Sequence, residues 1–260
     1  MFILEAHKGV DSDRPENTMS AFRLAVEQGY GMIELDTKFT ADGACVILHD
    51  RTLNRTARNP DGSELGADVP IAEVSLARAK SYDLGLARGA AFAGERIATL
   101  DEVLDFTVPA GVPIKIDNVF MSHTPEERAK LYDIVERHGA LDLCGFTSNS
   151  ADFVEKDILA RFPDAFVHYD GDVSEAILAR LAALVRPGRL TVWLRYANAR
   201  TSWNRTRPVD EELAAMVKRY ARLGIWILDR REECVDAAAR FDPDFIETDG
   251  AVKPEPGFGA

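Results

Sequence analysis

Short apolar runs and helical patterns alternate along this chain, and the alternation predicts an α/β fold: a closed parallel barrel of (β/α)8 type ringed by helices. Two further observations support a single barrel domain over residues 1–260. The chain has 260 residues, 46% of them hydrophobic, enough to bury a full core, and no second composition regime or internal repeat divides it. Acid–base residues also close three early apolar runs: His7 after Phe2-Ile3-Leu4, Glu34 after Met32-Ile33, and His49 after Val46-Ile47-Leu48. Such partly β-branched runs read as buried strands, so their polar ends gather at one rim.

The elements follow in order. After the first strand, residues 15–28 read as a helix, with Pro15 near its start and Gly29 ending it. Only Thr40-Ala41-Asp42-Gly43 separates the second and third strands, too short for a parallel crossover. Either those strands form a hairpin or the barrel is irregular there. Residues 51–97 lack clear periodicity, and the Asn59-Pro60-Asp61-Gly62 turn points to a small loop-rich insertion over the barrel mouth. Thr99 caps a helix over 99–108, with Asp101 and Glu102 in its first turn. Later helical patterns cover 124–138, 150–161, 173–185, 209–223 and 230–240, and strand patterns cover 112–117, 142–147, 165–169, 190–194, 225–228 and 244–248. The Pro- and Gly-rich tail, 254–260, is expected to fray.

Charge and cysteine usage narrow the function classes. A formal net charge of -12, from 43 acidic residues against 31 Lys plus Arg, disfavours a nucleic-acid backbone or an anionic membrane surface as the main partner. Cys45, Cys144 and Cys234 are odd in number, widely spaced and set in apolar context, so they read as reduced core thiols. Glu5 interrupts the first apolar run, with no basic leader and no long apolar stretch. The expectation is a cytoplasmic protein without stable membrane insertion.

His7, Glu34, Asp36 and His49 together are the parts needed to break a phosphodiester. One imidazole removes a proton and the other supplies one, while the acids hold a divalent cation against the phosphate oxygens. Glu34 and Asp36 lie two apart, so on a strand they share a face. Turned inward, two like charges call for a cation or a basic partner.

Ala6-His7-Lys8-Gly9, Arg14-Pro15-Glu16-Asn17-Thr18, Ile33-Glu34-Leu35-Asp36, Asp42-Gly43 and His49-Asp50-Arg51-Thr52-Leu53-Asn54-Arg55-Thr56 resemble the signature of glycerophosphodiester phosphodiesterases. The likeness resumes at Ile97-Ala98-Thr99-Leu100-Asp101-Glu102-Val103-Leu104 and ends at Gly224-Ile225-Trp226 and Phe245-Ile246-Glu247-Thr248-Asp249-Gly250. The resemblance implies a TIM-type barrel, a divalent metal (calcium or magnesium) and hydrolysis of a small-molecule glycerol phosphodiester.

Two positions depart from that pattern. Relatives carry a metal-binding Glu and, two residues later, a phosphate-contacting Lys, whereas this chain reads Lys115-Ile116-Asp117. A two-residue step keeps both side chains on one face, so the charges could have exchanged places within the site. Asp117 then supplies the third carboxylate beside Glu34 and Asp36, and Lys115 reaches the phosphate or pairs with Glu34. In the competing reading Lys115 neutralises Glu34 and Asp36 directly and no metal binds. Lys8 replaces the usual Arg, so a point charge stands where a planar fork would grip phosphate. Lys8 and Lys115 accordingly join His7 and His49 as candidate catalytic groups.

Candidate substrate contacts come from later strands. The segment 194–207 holds four arginines, a Trp and a Tyr, and nominates Arg195, Arg200 and Trp203, with aromatic faces for a sugar or glycerol and guanidiniums for hydroxyls and phosphate. Trp226 on the eighth barrel strand reads as core or pocket wall, and His168 at a strand end as a pocket residue. The predicted reaction is metal-assisted hydrolysis of a glycerol or sugar phosphodiester to an alcohol and a phosphomonoester. Its rivals are an agrocinopine-like sugar phosphodiesterase, a lyase that stops at a cyclic phosphate, and a silent barrel that only binds a phosphodiester.

Overall fold

The computed structural model describes residues 2–197 and 207–259. Eight parallel strands close into a barrel: β1 (Ile3–Ala6), β2 (Met32–Leu35), β5 (Ile114–Ile116), β6 (Cys144–Ser148), β7 (Phe166–Tyr169), β8 (Leu190–Arg195), β9 (Arg222–Trp226) and β10 (Phe245–Thr248). The remaining two, β3 (Thr37–Phe39) and β4 (Cys45–Ile47), pair antiparallel outside it. The hairpin alternative is therefore the one realised. Gly43 takes φ 80° in its loop, and Thr40 N–H donates to the Ala44 carbonyl at 3.0 Å. The strand that ends near His49 thus lies beside the barrel, not within it.

Period-two alternation decides which side chains enter the barrel. Leu4, Ala6, Ile33, Leu35, Ile114, Ile116 and Ile246 face outward into the main core beneath the helices. Their neighbours Glu5, Glu34, Lys115 and Glu247 turn inward, all nearly inaccessible to solvent. The interior also holds a small apolar cluster of Met32, Trp193 and Phe245, with Ile3 and Trp226 packed on it. Glycines make room for the large inward rings. A Cβ on Gly145 would sit 2.2 Å from the His168 ring, and one on Gly224 would sit 2.4 Å from the Trp193 indole.

Helices α1 (Met19–Glu27), α3 (Leu100–Ala110), α4 (Pro125–Arg137), α7 (Glu175–Leu184), α8 (Glu211–Lys218) and α9 (Arg231–Phe241) surround the barrel. Between α4 and α7, the pieces α5 (Ala151–Phe153) and α6 (Leu159–Arg161) flank a π-helical stretch, Val154–Ile158. Thr99 and Thr124 cap α3 and α4 through reciprocal bonds with Glu102 and Glu127.

Several boundaries shift for local reasons. The first helix starts after Thr18, four residues beyond Pro15, because Asn17 adopts φ 57° and Thr18 Oγ1 accepts from Ala21 N–H. The helical pattern over 209–223 stops at Lys218, and Leu223 and Ile225 instead join β9 with Gly224 between them. The tail is docked, not frayed, through residue 259: Phe258 meets Phe2 edge-on at 5.1 Å, and the Gly259 carbonyl accepts from Leu4 N–H. Apolar Phe258 overrides the flexibility of its Pro and Gly neighbours.

Residues 51–97, with the short α2 (Leu76–Ala79), build a second small core in which Leu53, Ala57, Ile71, Ala79, Tyr82, Leu84 and Ile97 pack on Val46 and Leu48 of the hairpin side. The buried Asp83 carboxylate organises it, accepting from Gly85, Leu86 and Gly94 N–H and from Arg96.

Candidate active site

A cavity of about 1150 Å³ opens at the carboxyl end of the barrel, where His7, Lys8, Glu34, Asp36, His49, Lys115, Asp117, Trp226, Glu247 and Asp249 contribute to its wall. This is the rim at which barrel enzymes assemble their chemistry. No side chain of the 51–97 insertion lines it.

Glu34, Asp36 and Asp117 each offer an oxygen, all within 4.8 Å of one another. Asp117 is thus turned inward with the β2 acids, as the exchanged pattern on β5 requires. Burial, then the neighbouring Asp36, pushes both Glu34 and Asp117 above the usual carboxylate range. The donors are pre-oriented: Lys8 N–H donates to Glu34 at 2.9 Å and Asn17 Nδ2 to Asp36 at 2.9 Å. Lys8 reaches that amide position through φ 54°. Three hard oxygen donors, close and mutually repelling, two of them buried and Asp117 half-buried, fit a divalent cation of the calcium or magnesium kind.

Lys115 lines the cavity, but its direct partners are carboxylates that the sequence reading did not name. Its ammonium meets neither Glu34 nor Asp36 but sits on the barrel floor, 2.7 Å from Glu5 and bonded to Glu247, with the Trp193 ring centroid 3.9 Å away. The reason is the pair of glutamates on β1 and β10, directly paired in register, which present an anionic slot beneath the site. Burial lifts Glu5 to about 8 against the pull of Lys115, while Glu247 is held low because Lys115 and His7 outweigh its own burial. Lys115 stays firmly charged, because Glu247 and Glu5 outweigh its burial.

Both predicted histidines face the cavity, each backed by a carboxylate. His7 Nδ1 bonds Asp249 at 2.6 Å, and its Nε2 stands 3.9 Å from both Glu34 and Glu247. Burial disfavours its charge, but Glu34, Asp249 and Glu247 outweigh burial and raise it to about 10. His49 Nδ1 bonds Asp50 at 2.7 Å. Arg55 grips Asp50 and, with its other nitrogens, Glu16, so the loop after β1 and the loop after β4 are tied together behind His49. A carboxylate on Nδ1 fixes the ring and leaves Nε2 for the substrate.

The substrate candidates divide. Trp226 lines the cavity. Arg195 ends β8 opposite Trp226 in the ladder and is outside the cavity wall. Arg200 and Trp203 lie outside the described residues. His168 is not a pocket residue: it is buried one layer down, where Nδ1 accepts from Trp193 Nε1 at 2.9 Å. Two residues farther along β7, on the same face, Asp170 reaches the cavity in its place. Burial and then Asp117 push Asp170 up to about 7.

Glu5, Glu247, Asp249, Asp170 and Trp193 were absent from the sequence-derived site. The signal for the first three was present: Glu5 and His7, like Glu247 and Asp249, are polar residues two apart within otherwise apolar strands.

Comparison with known proteins bears on the family and the fold. The profile of the glycerophosphoryl diester phosphodiesterase family matches residues 7–143, more than half of the chain. A glycerophosphodiester phosphodiesterase of Caldanaerobacter subterraneus subsp. tengcongensis is 42% identical over 103 residues, 40% of this chain and 39% of that protein. The chain therefore matches about two-fifths of that relative's length. Among solved structures, an Oleispira antarctica phosphodiesterase in complex with the product sn-glycerol-3-phosphate superposes with TM-score 0.75 at 23% identity, covering 96% of this chain and 93% of that one. A Thermotoga maritima glycerophosphodiester phosphodiesterase gives 0.69 at 22% identity, covering 96% of each chain. At these identities the structural likeness establishes the barrel fold.

Proposed function

The chain belongs to the glycerophosphoryl diester phosphodiesterase family, and from that premise we propose that it hydrolyses a small phosphodiester carrying glycerol or a similar polyol, yielding an alcohol and a phosphomonoester. The observation that carries the reading is the convergence of two carboxylate-backed imidazoles and three carboxylates on one cavity. A barrel that only bound the diester would have no use for the two histidine–aspartate pairs.

Glu34, Asp36 and Asp117 would hold a divalent cation, which when bound supplies charge compensation to the phosphoryl oxygens. The histidines do the proton work. One takes a proton at Nε2 from the attacking hydroxyl, and the other delivers one from Nε2 to the leaving alkoxide. Asp249 and Asp50 keep each ring turned for that task. Attack by the substrate hydroxyl next to phosphorus is favoured for the first step, because the reacting groups are already joined. It expels the alcohol and leaves a cyclic phosphate, which water then opens to the phosphomonoester with the two histidines in exchanged roles. Lys8 faces the cavity beside Glu16 at 3.6 Å and adds positive charge at the phosphate side.

The test is turnover of glycerophosphodiesters with and without a chelator, together with His7→Ala and His49→Ala. Each variant is expected to lower kcat by about a hundredfold or more with an unchanged circular dichroism spectrum. Full activity in chelator, or wild-type turnover in both variants, would sink the proposal.

A further inference from the structure

The end of β10 holds His7 at two points. The His7 N–H donates to the Thr248 carbonyl at 2.9 Å, and the ring Nδ1 bonds Asp249 Oδ1 at 2.6 Å. The aim of the ring therefore depends on whatever fixes Thr248 and Asp249. Asp50, the carboxylate behind His49, is gripped by Arg55. Among the described residues Asp249 has no ion pair except the one with His7. Its support comes from Asp229, in the loop after β9. A single oxygen of that carboxyl, Oδ1, accepts from Thr248 Oγ1 at 2.9 Å and from Asp249 N–H at 2.8 Å. Thr248 is fully buried, and its hydroxyl oxygen accepts in turn from Gly250 N–H at 3.3 Å.

Asp229 lines the cavity beside Asp249, yet these bonds go to the β10 end and not to either histidine. A second carboxylate next to Asp249 is an unfavourable place for charge. What the arrangement uses is one acceptor oxygen that collects two donors. We propose that Asp229 is a positioning residue: by holding Thr248 and Asp249 it fixes the Nδ1 bond of His7 and keeps Nε2 aimed at the substrate. The inference rests on the phosphodiesterase reading above and adds to it a residue that acts through another. With Asp249 loose the ring could turn, and a small misplacement of a reacting group costs up to about a hundredfold in rate.

Asp229→Ala is expected to lower kcat about ten- to a hundredfold and to change KM less than about threefold. Asp229→Asn should restore most of the rate, because an amide oxygen accepts the same two bonds. The near-isosteric Thr248→Val deletes one of the two donors and should give a smaller loss in the same direction. It decides the matter alone if Asp229→Ala does not fold, wild-type turnover then counting against the proposal. In an Asp249→Ala background Asp229→Ala should add little, since the group it positions is already gone. Wild-type turnover in Asp229→Ala, an equal loss in Asp229→Asn, or fully additive losses would overturn the positioning role. A readout without substrate keeps this separate from the activity. The downfield proton signal of His7 Nδ1–H, assigned by its absence in His7→Ala, should be sharp in wild type and Asp229→Asn and broadened or lost in Asp229→Ala. If no phosphodiester is turned over, the function proposed above fails, whereas an unchanged signal in Asp229→Ala sinks only the positioning role.

Discussion

Lys115, a candidate catalytic group in the sequence, also carries a burden in the fold. Its ammonium compensates Glu5 and Glu247 on the barrel floor, fully enclosed and stacked on Trp193. Removing the cation leaves two carboxyls facing each other without their counter-charge. Lys115→Met is therefore expected to destabilise the protein by about 3–5 kcal/mol, read from urea unfolding, because breaking a buried pair strands its partner. Adding Glu5→Leu and Glu247→Gln should return part of that loss. A Lys115→Met protein as stable as wild type would show that the trio is not held as described. Two other buried residues set the acid limit. His123, bonded to Thr37 at 3.1 Å, is lowered to about 4, and His168 to about 3, burial being the main cause for both. Their folded values lie below the unfolded value of about 6.5, so the folded state favours the neutral rings. Their contribution is complete above about pH 6.5 and is lost as pH falls toward the folded values, on the order of a few kcal/mol in all. Unfolding measured at about pH 7 and about pH 4 should show a smaller acid loss in His123→Asn than in wild type, and an equal loss would refute the assignment.

At the level of elements, the barrel depends on glycines placed opposite rings. Gly145 on β6 leaves room for His168 of β7, and Gly224 on β9 for Trp193 of β8. Gly224→Ala would push a Cβ into the indole that supports Lys115, and overpacking of this kind costs about 1–3 kcal/mol. Thermal unfolding should show that loss for Gly224→Ala and Gly145→Ala but not for Gly62→Ala, whose Cβ would meet no atom but whose φ of 87° gives a smaller backbone penalty. If Gly62→Ala were the most damaging of the three, backbone strain and not ring packing would be the governing factor. These glycines also explain what was readable in advance. Outward faces such as Leu4, Ile33 and Ile114 repeat with period two and gave away the strands. The carboxylate cluster could be read because Glu34, Asp36 and Asp117 sit at or just beyond strand ends with that same spacing. The third early strand looked like a barrel strand because a hairpin strand buried on both sides has the same apolar run, Cys45–Ile47. The partner of Lys115 was hidden, since Glu5 and Glu247 are 242 positions apart and only barrel closure pairs them.

For the whole molecule, the proposed cation site would couple chemistry to stability. The fold carries a net charge of -12 and concentrates three carboxylates at Glu34, Asp36 and Asp117, so the metal-free folded state bears repulsion that unfolding would relieve. A cation held only by the folded protein must therefore stabilise it, by about 2.7 kcal/mol at a hundredfold excess over Kd. For a chain of this size that corresponds to a rise in Tm of roughly 5–10 °C. The rise should be seen with calcium or magnesium, disappear in chelator, and exceed what the same ionic strength of a monovalent salt produces, since screening alone acts on every surface charge alike. Asp117→Asn should shift the midpoint of that rise to higher cation concentration, because a carbonyl oxygen remains but its charge is gone. Lys115→Met should lower the starting Tm yet keep the cation-induced rise, as its partners are Glu5 and Glu247 and not the cation ligands. Loss of the rise in Lys115→Met with its retention in Asp117→Asn would reverse the two roles. The exchange of charges on β5 would then place the lysine, not the aspartate, in control of the upper site.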